Sequence, residues 1–222
     1  FYEETIMLKA IIFDFDYTLG DSTNGIALSI NYALEKLGYK REELETIKKT
    51  IGLSLKDTYR ALTQMDNLEE AELFSQLFKE KADQVMVENT QLYKGVKKVL
   101  GNLHEKGYKI AIVTTKFHYR IEQILTKFDA TKWIDLIVGG EDVKEAKPNP
   151  EGLLYAITRL QVERDEILYV GDSLVDAKTA QNAGVDFAAV LTGTTTREEF
   201  DDFDKVFVGD SIEEVFLNVW RA

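Results

Sequence analysis

The sequence predicts an α/β fold: a Rossmann-like parallel sheet with helices on both faces, plus an inserted all-helical cap domain. Three observations carry that prediction. Five apolar runs end in small or acidic residues, at 8–16 (LKAIIFDFD), 109–115 (KIAIVTT), 134–140 (IDLIVGG), 166–173 (EILYVGDS) and 185–193 (VDFAAVLTG). Strands apolar on both sides belong to sheets covered on both faces. Amphipathic stretches such as 117–128 and 150–160 separate the later four runs, and strand alternating with helix specifies a parallel sheet. The third observation is an interruption. Asp14 and Thr114 stand 100 positions apart, whereas a strand, crossover helix and strand need only about 30 residues.

The first run ends in two carboxylates, Asp14 and Asp16. Side chains alternate along a strand, so both acids face one side if extended geometry lasts that far. At about 6 Å and an effective dielectric near 20, they repel by roughly 3 kcal/mol. A cation or donor cluster is therefore expected nearby. Taken alone, two acids at a strand end read equally well as a solvated pair.

The interruption holds about 70 extra residues. Ile26, Ile30, Ala33, Leu34 and Leu37 follow one helical stripe, which Gly38 terminates. Leu73, Phe74, Leu77 and Phe78 predict another helix, and Ser54 reads as a helix start. No proline occurs between 22 and 94. The expected organisation is a helical cap over residues 21–90, with 1–20 and 91–222 forming the core. Inserted after the first strand, the cap lies over the strand ends as a lid.

The remaining runs carry polar residues at their carboxyl ends, where parallel sheets bind ligands. Thr114 and Thr115 stand at a strand-to-helix turn, whose free N–H groups suit an anionic oxygen. Taken alone, they read as ordinary helix-capping threonines. The stretch EAKPNPEG (145–152) holds both prolines of the chain. Proline restricts itself and its predecessor, so Lys147 and Asn149 are expected to be extended and Pro150 to open a helix. Taken without the other motifs, a solvated lysine on a surface loop is the favoured reading. In YVGDSLVDAKTAQNAG (169–184), Asp172 falls where a buried strand gives way to a helix, and Asp176 follows in its first turn. Ala177, Ala180 and Ala183 thin one side of that helix for close packing, and Gly184 caps it.

Composition narrows the function classes. The 222 residues include 27 basic and 39 acidic side chains, a net charge of −12, which makes nucleic acid and anionic membranes poor partners. A small anionic substrate then needs a locally positive site or a metal. The absence of cysteine excludes disulfides, thiolate nucleophiles and cysteine-bound zinc. Two histidines argue against a histidine-rich metal site, and His104 and His118 read as ordinary surface or core residues. The acidic run 198–205 reads as a solvated loop. No apolar run approaches the roughly 18–20 residues of a membrane span. The start FYEETIMLK is not basic and then apolar, so a cytoplasmic location is expected. Met7 can serve as an alternative start, and residues 1–6 carry no functional weight.

Four motifs in order, DFDYT, VTTK, KPNP and GDSLVD, resemble the haloacid dehalogenase superfamily of phosphohydrolases. The resemblance is to the phosphoglycolate phosphatase-like branch, with a helical cap after the first motif, and it covers nearly the whole chain. It implies a Mg2+-dependent phosphatase of a small phosphorylated metabolite. Asp14 would be the nucleophile that forms an aspartyl phosphate, and Asp16 the acid that protonates the leaving oxygen and later deprotonates water. Asp14, Asp16 (through its backbone carbonyl) and Asp172 would hold the metal, with Asp176 supporting its waters. Thr114, the Thr115 amide and Lys147 would grip the phosphoryl oxygens. In the cap, IGLSLKDT resembles the loop facing the leaving group, making Gly52, Ser54 and Lys56 candidates for specificity.

Two departures stand out. Tyr17 replaces the glycine common after the second aspartate, which bears on the flap beside the leaving group. Thr115 stands where many relatives have asparagine, and VTTK looks like the form of some pyrophosphatases. A β-phosphoglucomutase-like mutase and an inorganic pyrophosphatase are the alternatives within the family. A receiver-type phospho-acceptor module is the alternative outside it, although its acceptor follows the third strand. A monomer is the favoured state.

Overall fold

The computed structural model describes residues 8–219, so the expectation about Met7 and residues 1–6 lies outside the described residues. The chain begins with β1 (Ala10–Phe13) and β2 (Gly20–Asp21). It then runs through four helices, α1 (Thr23–Lys36), α2 (Leu44–Lys48), α3 (Leu55–Thr63) and α4 (Leu68–Val85). It returns through β3 (Gln91–Leu92) to α5 (Val96–Glu105), β4 (Lys109–Val113), α6 (His118–Lys127) and β5 (Leu136–Val138). The last part is α7 (Glu151–Leu160), β6 (Ile167–Gly171), α8 (Leu174–Ala183), β7 (Asp186–Val190), β8 (Phe207–Gly209) and α9 (Ile212–Val219).

Six strands form one sheet in the order β5-β4-β1-β6-β7-β8, with every pair parallel. Renumbered along the chain without the short pair, this is the 3-2-1-4-5-6 order of dinucleotide-binding folds. Central β1 pairs Ile12 with Ala111 on one side and with Tyr169 on the other. Its alternate residues divide between two apolar layers. Ile11 and Phe13 pack with Leu100 of α5, Ile124 of α6 and Phe216 of α9. Ala10 and Ile12 pack with Leu153 of α7 and Ala180 of α8. Burial on both faces is the physical reason these strands read as unbroken apolar runs.

β2 and β3 pair antiparallel, Gly20 with Leu92 and Asp21 with Gln91, where the chain leaves for the helical insertion and returns. The insertion has its own apolar cluster, including Ile30, Leu34, Ile47, Tyr59 and Phe74. Gly38 ends α1 in the left-handed conformation (φ 86°), with the Tyr39 N–H donating to the Leu34 carbonyl at 2.9 Å. Ser54 caps α3 by accepting from the Asp57 N–H.

The structure departs from the sequence expectation in four places. In α4 the buried stripe is Ala71, Phe74, Phe78 and Ala82, while Leu73 is 46% exposed; the stripe runs along a neighbouring face. Lys147 lies in a turn closed by the Asn149 N–H on the Ala146 carbonyl at 3.0 Å, with the Lys147–Pro148 peptide cis, instead of in an extended run. The edge pair of β8 and α9 completes the sheet although neither was expected. The acidic run is largely exposed, yet Phe200 within it is buried against α8 and β7 residues. Among the described residues no helix is long and apolar enough to cross a membrane.

Candidate active site

The acids, the threonines and the lysine of the sequence motifs converge at the carboxyl edge of the sheet. Asp14 follows β1 directly, its N–H donating to the Val170 carbonyl at 2.9 Å, so the parallel ladder fixes its backbone. Thr114 follows β4 in the same way, with its N–H on the Val138 carbonyl at 3.0 Å. Asp172 and Asp176 bracket the start of α8. There Ser173 accepts from the Asp176 N–H, and the Asp176 carboxylate accepts from the Ser173 N–H and hydroxyl, a reciprocal cap.

Lys147 joins these segments. Its Nζ lies 2.7 Å from Asp14 Oδ1, 2.6 Å from Asp176 Oδ1 and 3.2 Å from the Tyr169 hydroxyl. Lysine and both acids are buried. Burial pushes the Asp14 carboxyl up to about 7, against the pull of Lys147. Burial, with the nearby charges of Asp176 and Asp14, pushes Asp172 well above the carboxylate range. Burial would raise Asp176 too, but Lys147 and the Ser173 and Tyr169 hydrogen bonds outweigh it and hold that carboxyl below its ordinary value. For Lys147 burial acts downward, and the two acids overcome it, so the ammonium stays charged.

A second lysine, Lys116, ends the VTTK motif. Its Nζ lies 3.0 Å from Asp16 Oδ2, and both side chains are under a tenth exposed. Thr114 Oγ1 accepts from the Lys116 N–H at 3.2 Å, which shapes the turn after β4. A cation one residue past a motif is a usable sequence signal; which acid it meets depends on the loop that follows Asp14.

That loop explains the departure at Tyr17. Its φ of 61° is left-handed, a conformation glycine adopts freely and other residues reach at about 1–2 kcal/mol. The flap keeps the shape a glycine would give it, and the surroundings hold the tyrosine there. Thr192 Oγ1 donates to the Tyr17 carbonyl, and Thr23 Oγ1, at the start of α1, donates to the Tyr17 hydroxyl at 2.9 Å. The ring is buried, and that burial pushes the phenol up to about 12.

Carboxylate oxygens of Asp14, Asp172 and Asp176 lie within 4.8 Å of one another. With Asp16 they make four buried acids facing two ammonium groups, Lys147 and Lys116. The surplus of negative charge and the all-oxygen donor set fit a hard divalent cation. Asp176, expected only to support the metal's waters, thus lies within the same acidic cluster and also bonds Lys147. Gly193 leaves room for Asp172: a Cβ there would stand 1.9 Å from its Oδ2.

The helical insertion closes over this edge. A cleft of about 610 Å3 is lined by Thr114, Thr115 and Lys147 from the sheet and by Ser54 and Lys56 from the insertion. Ser54 is engaged as the α3 cap, and Lys56 pairs with Glu72 at 3.1 Å on the surface. A second, inner cavity of about 50 Å3 places Gly52 opposite Asp16, Thr115 and Lys116.

Comparison with known proteins agrees with this arrangement. Residues 11–190 match the haloacid dehalogenase-like hydrolase family. The chain is 31% identical over 219 residues to the phosphoglycolate phosphatase of Vibrio parahaemolyticus, covering 94% of each. It is 34% identical over 184 residues to a Caldanaerobacter subterraneus protein named as pyrophosphatase PpaX, covering 82% of this chain and 81% of that one. Its fold is similar to that of a haloacid dehalogenase-like hydrolase from Bacteroides fragilis, with a TM-score of 0.91 and 39% identity, covering 94% of this chain and 99% of the other. Asp14 and Asp172 directly follow the first and fourth strands of the six-stranded sheet, under a helical insertion. The chain belongs to the haloacid dehalogenase-like hydrolases.

Proposed function

We propose that the protein is a Mg2+-dependent phosphatase of a small phosphate monoester, similar to phosphoglycolate phosphatases, working through an aspartyl phosphate. The observation that carries this reading is Lys147, whose ammonium joins Asp14 from the first motif to Asp176 from the fourth. In the proposed reaction Asp14 attacks phosphorus, and Asp16 gives its proton to the leaving oxygen. Asp16 then takes a proton from the water that hydrolyses the acyl phosphate, so one nucleophile divides hydrolysis into two easier steps. Lys147, the Thr114 hydroxyl and the Thr115 amide hold the phosphoryl oxygens, where charge stabilisation supplies most of the catalysis. Asp14, Asp172 and the Asp16 carbonyl would hold Mg2+, with Asp176 beside them. The metal supplies neutralisation of phosphoryl charge when bound.

The same reading divides the chain into a core (1–20 and 91–222) and a cap (21–90). The separate apolar cluster of α1–α4 and the strand pair at its two ends support that division. Gly52, at the inner cavity, is the cap candidate that stands opposite Asp16. Pyrophosphate is a second candidate substrate, favoured by the identity to the Caldanaerobacter protein and by the small inner cavity.

A hydrolysis screen over phosphoglycolate, pyrophosphate, sugar phosphates and nucleotides, with Asp14→Asn as the blank, tests the reading. Metal-dependent turnover lost in the blank is expected. Full activity in the blank removes Asp14 as nucleophile, and a single stoichiometric phosphorylation without turnover favours a receiver-type module.

A further inference from the structure

The wall of the inner cavity carries a cation that no part of the mechanism above uses. Arg120, in the first turn of α6, is 1% exposed and heads the fully buried side chains by size. Its Nη2 donates to Asp83 of α4 and, at 2.7 Å, to the Tyr119 hydroxyl. Its Nε–H has no acceptor among the described residues. Asp16 lines the same cavity, its Oδ1 is likewise unpartnered among the described residues, and Lys116 stands beside it. The remaining wall is largely apolar, with Ile26, Ile30 and Phe78 contributed by the insertion.

We propose that Arg120 is a specificity residue: its Nε–H receives an anionic oxygen group, carboxylate or phosphate, carried by the leaving group of the substrate. The proposal rests on the phosphatase reading and goes beyond it by naming what the leaving group must carry. Position gives the first argument. Asp16, the proposed donor to the leaving oxygen, and Arg120 line one cavity, so a group departing past Asp16 meets Arg120.

Size gives the second. The cavity is about 50 Å3, and a water-sized group needs about 10–15 Å3 by the same kind of measure. That is room for about three to five water-sized groups, which suits glycolate or phosphate better than a hexose.

Chemistry gives the third. The cations of the wall are Lys116, already paired with Asp16, and Arg120, and a charged oxygen group gains more from a guanidinium than a neutral hydroxyl does. A guanidinium matches the planar oxygens of a carboxylate and the tetrahedral ones of a phosphate. Asp83 engages Nη2 from a half-exposed position, leaving the Nε–H for a ligand.

The test compares three substrates with the full chain and Mg2+: phosphoglycolate, pyrophosphate, and 2-hydroxyethyl phosphate, in which a neutral CH2OH replaces the carboxylate. Wild type should favour at least one anionic substrate over the neutral one by about 10-fold or more in kcat/KM, the range of a charge-assisted hydrogen bond. Preference for phosphoglycolate identifies the carboxylate, and preference for pyrophosphate the phosphate. In Arg120→Gln that preference should collapse by about 10- to 100-fold. Asp83→Asn, which removes the negative charge beside the guanidinium and keeps an acceptor oxygen, should hold it within about threefold of wild type, the scatter expected of an indirect change. Equal losses on all three substrates in Arg120→Gln overturn the proposal, because they mark a merely structural arginine. A wild-type ratio near one overturns it without any variant, so a poorly folding Arg120→Gln does not block the test. Turnover of the neutral ester with no preference leaves the phosphatase reading standing, whereas no hydrolysis of any of the three overturns that reading and this proposal together.

Discussion

Lys147 Nζ stands 2.7 Å from Asp14 Oδ1, and this contact closes a span of 133 residues at a buried point. Removing one partner of a buried ion pair leaves the other charge uncompensated, which costs about 3–5 kcal/mol. Lys147→Met should therefore destabilise the metal-free protein by about that amount in urea unfolding. If the ammonium also holds phosphoryl oxygens, kcat should fall by about 10²- to 10³-fold as well. A variant that loses stability but keeps kcat would make Lys147 a structural brace and nothing more.

The position of Asp14 also sets a pH dependence. Its folded-state carboxyl titrates near 7 against an ordinary value of 3.8. Protonation therefore favours the folded state: the contribution is complete below about pH 4 and is lost as pH rises through about 7. Metal-free protein should lose stability across that window, and Asp14→Asn should flatten this part of the profile. Mg2+ competes with the same proton, so its thermal shift should be larger at about pH 8 than at about pH 5.5. Equal shifts at the two pH values would separate Asp14 from the metal.

Much of the site is legible in the sequence because parallel strands end where they bind. Asp14, Thr114 and Asp172 each follow an apolar run directly, so strand position alone aligns them on one edge. Lys147 is signalled by its two neighbouring prolines, although the turn it occupies is set by tertiary contacts. Arg120 carries no such mark. It lies in an amphipathic helix among other charged residues, and its burial arises only when α4 packs over α6. Leu73 fails for a related reason: adjacent leucine and phenylalanine fit two overlapping stripes, and the packing of α1 against α4 selects the one through Phe74 and Phe78. The left-handed backbone at Tyr17 has no local signal, because glycine is the residue that announces such a turn.

Tyr17 invites a substitution in two steps. Tyr17→Phe keeps the ring and removes the hydroxyl that accepts from Thr23, so a loss of about 0.5–1.5 kcal/mol is expected in urea unfolding. Tyr17→Gly releases about 1–2 kcal/mol of left-handed backbone cost but removes a buried aromatic ring, worth about 3–5 kcal/mol when cut back to a methyl group. Net destabilisation is therefore expected despite the better backbone. A more stable glycine variant would show that the ring packs poorly and that backbone strain dominates this position.

Gly193 offers a way to disturb the acid cluster without touching an acid. A Cβ at this position would fall 1.9 Å from Asp172 Oδ2, far inside contact distance. The obstructing atoms are Oδ2 and, at 2.8 Å, Cγ of the Asp172 side chain, so Gly193→Ala should be accommodated by a shift of the whole Asp172 side chain about Cα–Cβ and not by unfolding. Its metal-free melting temperature should stay close to wild type, since surface and loop changes of this size fall within about 0.5 kcal/mol when no core packing is lost. Moving one oxygen donor of a divalent site should nonetheless weaken Mg2+ binding by about 10- to 100-fold, as losses at metal-supporting residues do. The two readouts must separate: thermal stability kept, and the Mg2+-induced shift and turnover reduced together. If both fall in parallel, Gly193 serves chain packing; if neither falls, Asp172 tolerates the displacement and is not a direct holder of the ion.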